Sequence, residues 1–133
     1  MSQTVLVTGA TGLAGANVCR QLVERGDAVR ALARAGADTE PLAALGVTVV
    51  TGDITDAADV HRAATGADSA IHCAALLGGA SQNLPDFEAV NVEGTRHVLD
   101  AAASLGLGRV VAVSTGTFFD RSGGCLLYTS RCV

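Results

Sequence analysis

Near the start of the chain a glycine-rich turn separates two different kinds of apolar pattern. Thr8-Gly9-Ala10-Thr11-Gly12-Leu13-Ala14-Gly15 follows the branched run Thr4–Thr8 and opens a segment with helical spacing. Glycine at 9 permits a sharp turn, and glycine at 12 leaves room for a pyrophosphate to approach the backbone. Glycine at 15 lets helix and strand pack closely. The free N–H groups and positive dipole of the helix start then favour phosphate. Gly9, Thr11, Gly12, Leu13, Ala14 and Gly15 are therefore candidate dinucleotide-binding residues. A P-loop is excluded, because the Gly-Lys-Ser/Thr ending is missing.

Further along, short apolar runs alternate with amphipathic segments. Thr4–Thr8, Ala28–Ala33, Val47–Thr51, Ser69–Cys73 and Val110–Ser114 read as strands, each nearly continuous in apolar character as buried parallel strands are. Between them, Ala14, Val18 and Leu22 share a helical face that Gly26–Asp27 brings to an end. Glu40–Leu45 is a short helix, and Asp56 can cap a helix over Ala57–Thr65. Phe87–Leu105 is the longest helical segment, with Val90, Gly94, Val98, Ala101 and Leu105 along one stripe. This alternation predicts a doubly wound parallel sheet, Rossmann-like, in the order 3-2-1-4-5 with its ligand crevice beside the first strand. The segment Leu77–Pro85 reads equally well as a loop over the site or as a surface connection.

Composition narrows the chemistry. All nine cationic side chains among the 133 residues are arginine, and thirteen carboxylates give a net charge of −4. An acidic chain with 3% aromatic residues lacks the basic face and stacking platforms of a nucleic-acid binder. No apolar run approaches the ~20 residues needed to span a bilayer, and Met1–Gln3 does not resemble the start of a secretion signal. The reading is a soluble cytoplasmic domain. Without lysine there is no ammonium group for Schiff-base chemistry. Cys19, Cys73, Cys125 and Cys132 form no C-x-x-C pair, and His72 and Cys73, adjacent on a strand, point to opposite faces, so no metal is implied.

The motifs together resemble the extended short-chain dehydrogenases/reductases, the NAD-dependent epimerase/dehydratase group. TGATGLAG resembles that family's TGxxGxxG. Gly52-Asp53-Ile54-Thr55-Asp56, His72-Cys73-Ala74-Ala75, Asn91-Val92-Glu93-Gly94-Thr95 and Val113-Ser114-Thr115 follow in the family's order. The resemblance covers residues 4 to about 119 and implies roles for several of them. Asp53 would accept a hydrogen bond from the adenine amino group, with Ile54 packing near the ring. Ala74 and Ala75 would keep the crevice open, and Asn91 would stand near cofactor and active site. His72 reads as a satisfied strand histidine rather than a catalyst.

Cofactor choice falls at the end of the second strand, where an acidic residue would hydrogen-bond the ribose 2′-hydroxyl. Alignment with the family places Ala33 there, followed by Arg34, whose planar fork can clamp a phosphate. NADP is preferred over NAD on this basis, with Asp38 as the group that could serve NAD instead; the facing of Arg30, within the strand, is left open. The family's chemistry moves a hydride at a carbon bearing a hydroxyl or carbonyl. Its substrates here would be small molecules, either a nucleotide sugar or a ketone, aldehyde or alcohol, and the parent protein could be a homodimer. Thr115 aligns with the hydroxyl that holds the substrate oxygen.

The family's acid/base tyrosine belongs to a Y-x-x-x-K pair, which a chain without lysine cannot contain. Tyr128, thirteen residues after Thr115 (128 − 115), is therefore given no catalytic role. Residues 1–119 read as an incomplete dinucleotide-binding domain of about five strands, and residues 120–133 as a tail of doubtful origin. The polypeptide by itself is expected to be inactive. A non-catalytic NADP-sensing protein is the alternative reading.

Overall fold

A computed structural model describes residues 2–78 and 83–115. Five parallel strands are present among them: β1 (Thr4–Thr8), β2 (Ala28–Ala33), β3 (Thr48–Thr51), β4 (Ser69–His72) and β5 (Arg109–Ala112). They pair in the order β3-β2-β1-β4-β5, as the strand–helix alternation predicts. The helices are α1 (Leu13–Glu24), α2 (Glu40–Ala44), α3 (Ala57–Ala64), α4 (Leu84–Phe87) and α5 (Gly94–Leu105). None of the described helices is long and apolar enough to cross a membrane.

Side-chain alternation along β1 builds a core on each face of the sheet. Val5 and Val7 point to one face and pack with Val29, Ala31, Cys19, Leu22 and Leu42 beneath α1 and α2. Leu6 points to the other and packs with Leu32, Ala70, Val60, Ala63, Val98 and Ala101 beneath α3 and α5. Thr8 and His72 continue the second face to the ends of β1 and β4, two polar residues in register and buried. On the flank of the sheet, Val111 in β5 and Val113 just beyond it remain about half exposed.

Two local expectations are corrected. The buried stripe of α1 runs through Gly15, Cys19 and Leu22, while Ala14 is exposed. The rotation follows from Gly15 pressing against the turn: an added Cβ there would lie 2.1 Å from the Gly9 carbonyl oxygen. The long segment expected from Phe87 starts earlier, at Leu84 with Pro85 in its first turn, and contains a π-helical stretch, Glu88–Glu93. The apolar stripe passes through that stretch without a break. Gly94, Val98 and Ala101 are buried, and Val90 and Leu105 pack against the same core. Asp56 caps α3 as expected, accepting from the Ala58 and Asp59 N–H groups.

Candidate functional site

All five strands end at one edge of the sheet, and a cleft of about 330 Å³ opens there beside β1. Gly9, Thr11 and Gly12 form one wall. Leu32, Ala33 and Arg34 at the end of β2 form the second, with Gly52–Thr55 after β3 beside them. Cys73–Leu76 after β4 and Val90 from the π-helical stretch complete it.

The three glycines of the turn have different physical causes. Gly9 has φ +68°, and an added Cβ would lie 2.6 Å from the Ala74 nitrogen and 2.7 Å from the Cys73 carbonyl carbon. Gly15 is required by the 2.1 Å approach to Gly9. Gly12 is different. Its backbone is ordinary (φ −85°), and an added Cβ would meet only the Gly9 oxygen, at 3.4 Å. It occupies the N-cap of α1, where Ser, Asp or Asn would normally satisfy free N–H groups. No side chain caps this helix, and its first turn contains no carboxylate. The fold does not need glycine at 12. A phosphate at the helix start would use the space glycine leaves, and this end of the cleft fits one.

Around Asp53 the loop is tightly folded. Its Oδ1 accepts from the Thr55 N–H and hydroxyl, at 2.9 and 2.8 Å. The Asp53 N–H donates to Asp59 Oδ2 (2.9 Å), whose carboxylate lies over Gly52 and also pairs with Arg62. The Asp53 N–H first, and Arg62 second, hold the Asp59 carboxyl below its ordinary range. His97 donates from Nδ1 to the Ile54 carbonyl at 3.0 Å, and Ile54 itself is buried against Gly94. The capping expected of Asp56 therefore leaves Asp53 to shape the cleft. Asp53 Oδ2 has no hydrogen-bond partner among the described residues and can accept one from a ligand.

At the end of β2 the two arginines have different environments. Arg30 donates to the Ala63 and Arg62 carbonyls at 2.9 and 3.4 Å, closing the end of α3. Arg34 is exposed and lines the cleft. Asp38 accepts from the Glu40 N–H and is not part of the lining.

A hydrogen-bonded chain runs beneath the β4 side of the cleft. His72 Nδ1 lies 2.6 Å from Thr8 Oγ1, and its Nε2 lies 2.9 Å from Thr95 Oγ1. Thr95 donates its hydroxyl hydrogen to the Asn91 carbonyl (2.7 Å), so it must accept from His72. That makes His72 the Nε2–H tautomer, with Nδ1 accepting from Thr8. Burial lowers the His72 pKa and holds the ring neutral. The satisfied strand histidine expected from sequence is what the structure contains.

This burial has a pH consequence. The unfolded chain takes up a proton near the ordinary histidine value of about 6.5, whereas the native chain resists it. His72 therefore leaves stability intact above that pH and lowers it as pH falls toward the depressed folded value. The urea midpoint should fall between about pH 7.5 and 5.5, and His72→Gln should flatten that part of the profile. An equal slope in the variant would count against the assignment.

Asn91 does not line the cleft. Its side-chain amide accepts from the Leu76 N–H at 2.7 Å and donates to the Leu76 carbonyl at 3.0 Å, fixing the strip that does. Thus Gly9, Thr11, Gly12, Arg34, Asp53, Ile54, Ala74 and Ala75 line the cleft. Leu13, Ala14, Gly15, Asn91 and Thr115 lie outside the lining. Leu13 and Ala14 form the exposed first turn of α1, and Thr115 is exposed three residues past β5. Tyr128 and the tail lie outside the described residues. Leu32 and Leu76 join the lining without having been singled out by sequence, and Thr55 and Val90, named there only within a motif and a helical stripe, join it too. Leu32 pairs with Thr8 across the sheet, so strand order together with register could have found it.

The two described cysteines give no sign of reactivity. Burial pushes Cys19 up to about 11 and raises Cys73 as well, so both remain thiols at neutral pH. Among the described residues, no cluster of three or more potential metal ligands occurs.

The family model for the NAD dependent epimerase/dehydratase family matches residues 5–128. The chain belongs to that family. Among relatives, sterol demethylase protein B of Methylococcus capsulatus is 38% identical over 112 residues. That match covers 84% of this chain and 34% of the relative. The 3-beta-hydroxysteroid dehydrogenase of Mycolicibacterium neoaurum is 39% identical over 120 residues, covering 85% and 32%. The chain thus spans about a third of the length of the curated relatives it matches.

Solved structures share the same fold. The crystal structure of gox2253 superposes with a TM-score of 0.82 at 33% identity, covering 93% of this chain and 38% of that one. A short-chain dehydrogenase/reductase superfamily protein from Agrobacterium tumefaciens, solved with bound NAD, gives 0.72 at 34% identity. Its match covers 85% of this chain and 33% of that one. The resemblance drawn from the motifs is borne out, and so is the Rossmann-like sheet.

Proposed function

We propose that residues 1–119 form the dinucleotide-binding part of an oxidoreductase or nucleotide-sugar epimerase/dehydratase, and that residues 120–133 add no domain. The observation that carries this reading is Gly12: a helix N-cap left bare where the fold places no demand for glycine. The helix start receives the pyrophosphate, Asp53 Oδ2 accepts from the adenine amino group, and Ile54, Ala74 and Ala75 bound the ring and sugar. A bound nicotinamide supplies hydride transfer at a carbon bearing a hydroxyl or carbonyl. Thr115 holds the substrate oxygen. The substrate is a small molecule, the parent protein a cytoplasmic homodimer.

Arg34 selects NADP over NAD. It is exposed at the cleft and follows Ala33, where an NAD-type site would carry a carboxylate. Titrating NADP into the 133-residue chain while following thermal unfolding should raise the midpoint. Absence of any shift at millimolar NADP would defeat the binding reading. Arg34→Ala should weaken NADP by about tenfold, the scale of one charge-assisted pair, and leave NAD nearly unchanged. Equal losses for both would remove the preference.

The 133 residues contain no lysine. These residues cannot form the Y-x-x-x-K pair that makes a phenol an effective base. A second reading is a protein that binds a dinucleotide without turning it over, as a non-catalytic NADP sensor does. Hydride transfer by this chain to any carbonyl substrate would exclude the sensor.

A further inference from the structure

We propose that His72 is a positioning residue for the cleft: as the neutral Nε2–H tautomer it ties Thr8, behind the glycine turn, to Thr95 and through it to Asn91. The inference rests on the dinucleotide-binding reading of the cleft for its ligand, but not for its geometry.

The strip Ala74–Leu76 forms the β4 side of the cleft and, among the described residues, has no strand partner beyond His72. It is held at two points. The Ala74 N–H points to Thr8 Oγ1 at 3.4 Å, and Leu76 is gripped at both backbone atoms by Asn91. The two holders belong to elements far apart in sequence, β1 and the π-helical stretch before α5. The imidazole between them makes them one unit.

Every proton in this circuit runs one way. Ala74 N–H points to the Thr8 oxygen, Thr8 O–H to His72 Nδ1, His72 Nε2–H to the Thr95 oxygen, and Thr95 O–H to the Asn91 carbonyl. Each hydroxyl accepts once and donates once. With the opposite tautomer, Nε2 would accept, and Thr95 would have to release the Asn91 carbonyl to supply a hydrogen. A fully used, one-directional chain fixes its members better than the same bonds taken separately. The last acceptor is the backbone of Asn91, whose side chain holds Leu76, so the orientation of the ring is transmitted to the cleft strip.

The test uses the full chain and three readouts. The ¹⁵N shifts of His72 should be pyridine-like at Nδ1 and pyrrole-like at Nε2 at neutral pH. The opposite tautomer, or a charged ring at neutral pH, overturns the proposal. Thr95→Val removes the hydroxyl at nearly constant volume, and Thr95→Ser retains it. In Thr95→Val the Leu76 amide should exchange about tenfold faster, and NAD or NADP should bind about tenfold more weakly. Thr95→Ser should restore both. Unchanged Leu76 exchange in Thr95→Val overturns the relay, and faster exchange with unchanged binding overturns the positioning role. If Thr95→Val does not fold, the tautomer measurement decides. If the wild-type chain binds neither dinucleotide, the functional reading fails while tautomer and exchange still judge the relay.

Discussion

Gly15→Ala is expected to cost the fold on the order of 3 kcal/mol or more, the scale of an overpacked core position. An alanine Cβ would stand 2.1 Å from the Gly9 carbonyl oxygen and 2.8 Å from the Ala10 Cα. All of the opposing atoms are backbone, so no side chain can rotate away. Either α1 moves off the sheet or the turn opens. Moving α1 would uncover Cys19 and Leu22, which are buried against Val5 and Val7. Domains of this size hold only about 5–15 kcal/mol in total, so the variant should show a much lower urea midpoint. A midpoint within experimental error of the wild type would mean that the helix does not sit this close to the turn.

Gly12→Asp should have the opposite profile. Its backbone is in the extended region open to any residue, and the nearest atom to an added Cβ is at 3.4 Å. An aspartate there becomes an N-cap, accepts from the free N–H groups of α1 and complements the helix dipole. Stability should stay level or rise by a few tenths of a kcal/mol, because glycine is itself a tolerated N-cap. Dinucleotide binding should fall by about a hundredfold or more, because a carboxylate would stand where the pyrophosphate needs the helix start. Urea titration and ligand titration of the same preparation read both effects. Parallel losses of stability and binding would reduce Gly12 to a structural glycine, and retained binding would remove the phosphate from this turn.

The contrast explains which parts were legible in the sequence. Strand order, the two-faced core and the Asp56 cap all follow from periodicity and from local chemistry that needs no distant partner. β1 and β2 have the expected bounds, and β5 is displaced by one residue at its start and two at its end. The motif already assigns its three glycines different tasks, and the packed structure supplies the distances that separate the two the fold demands, at 2.1 and 2.6 Å, from the one it does not, at 3.4 Å. Asn91 is a similar case. Its position was identified, but its attachment to Leu76 joins residues fifteen apart in the chain (91 − 76). Nor does an apolar stripe register a π-helical turn. Burial of Val90 and Val98 on one side is compatible with either winding, and the change shows only in which carbonyl each N–H finds.

The fate of Arg30 has a consequence for how such a protein can change over evolutionary time. By closing the last carbonyls of α3 it is committed to the scaffold, and among the described residues Arg34 is the only cation lining the cleft. On the proposed NADP reading, discrimination between two nearly identical dinucleotides would then depend on a single solvent-facing side chain. A substitution there costs the core nothing and breaks no cap. Lineages sharing this sheet could exchange one reducing currency for the other by a change at one position, with no unstable intermediate to cross.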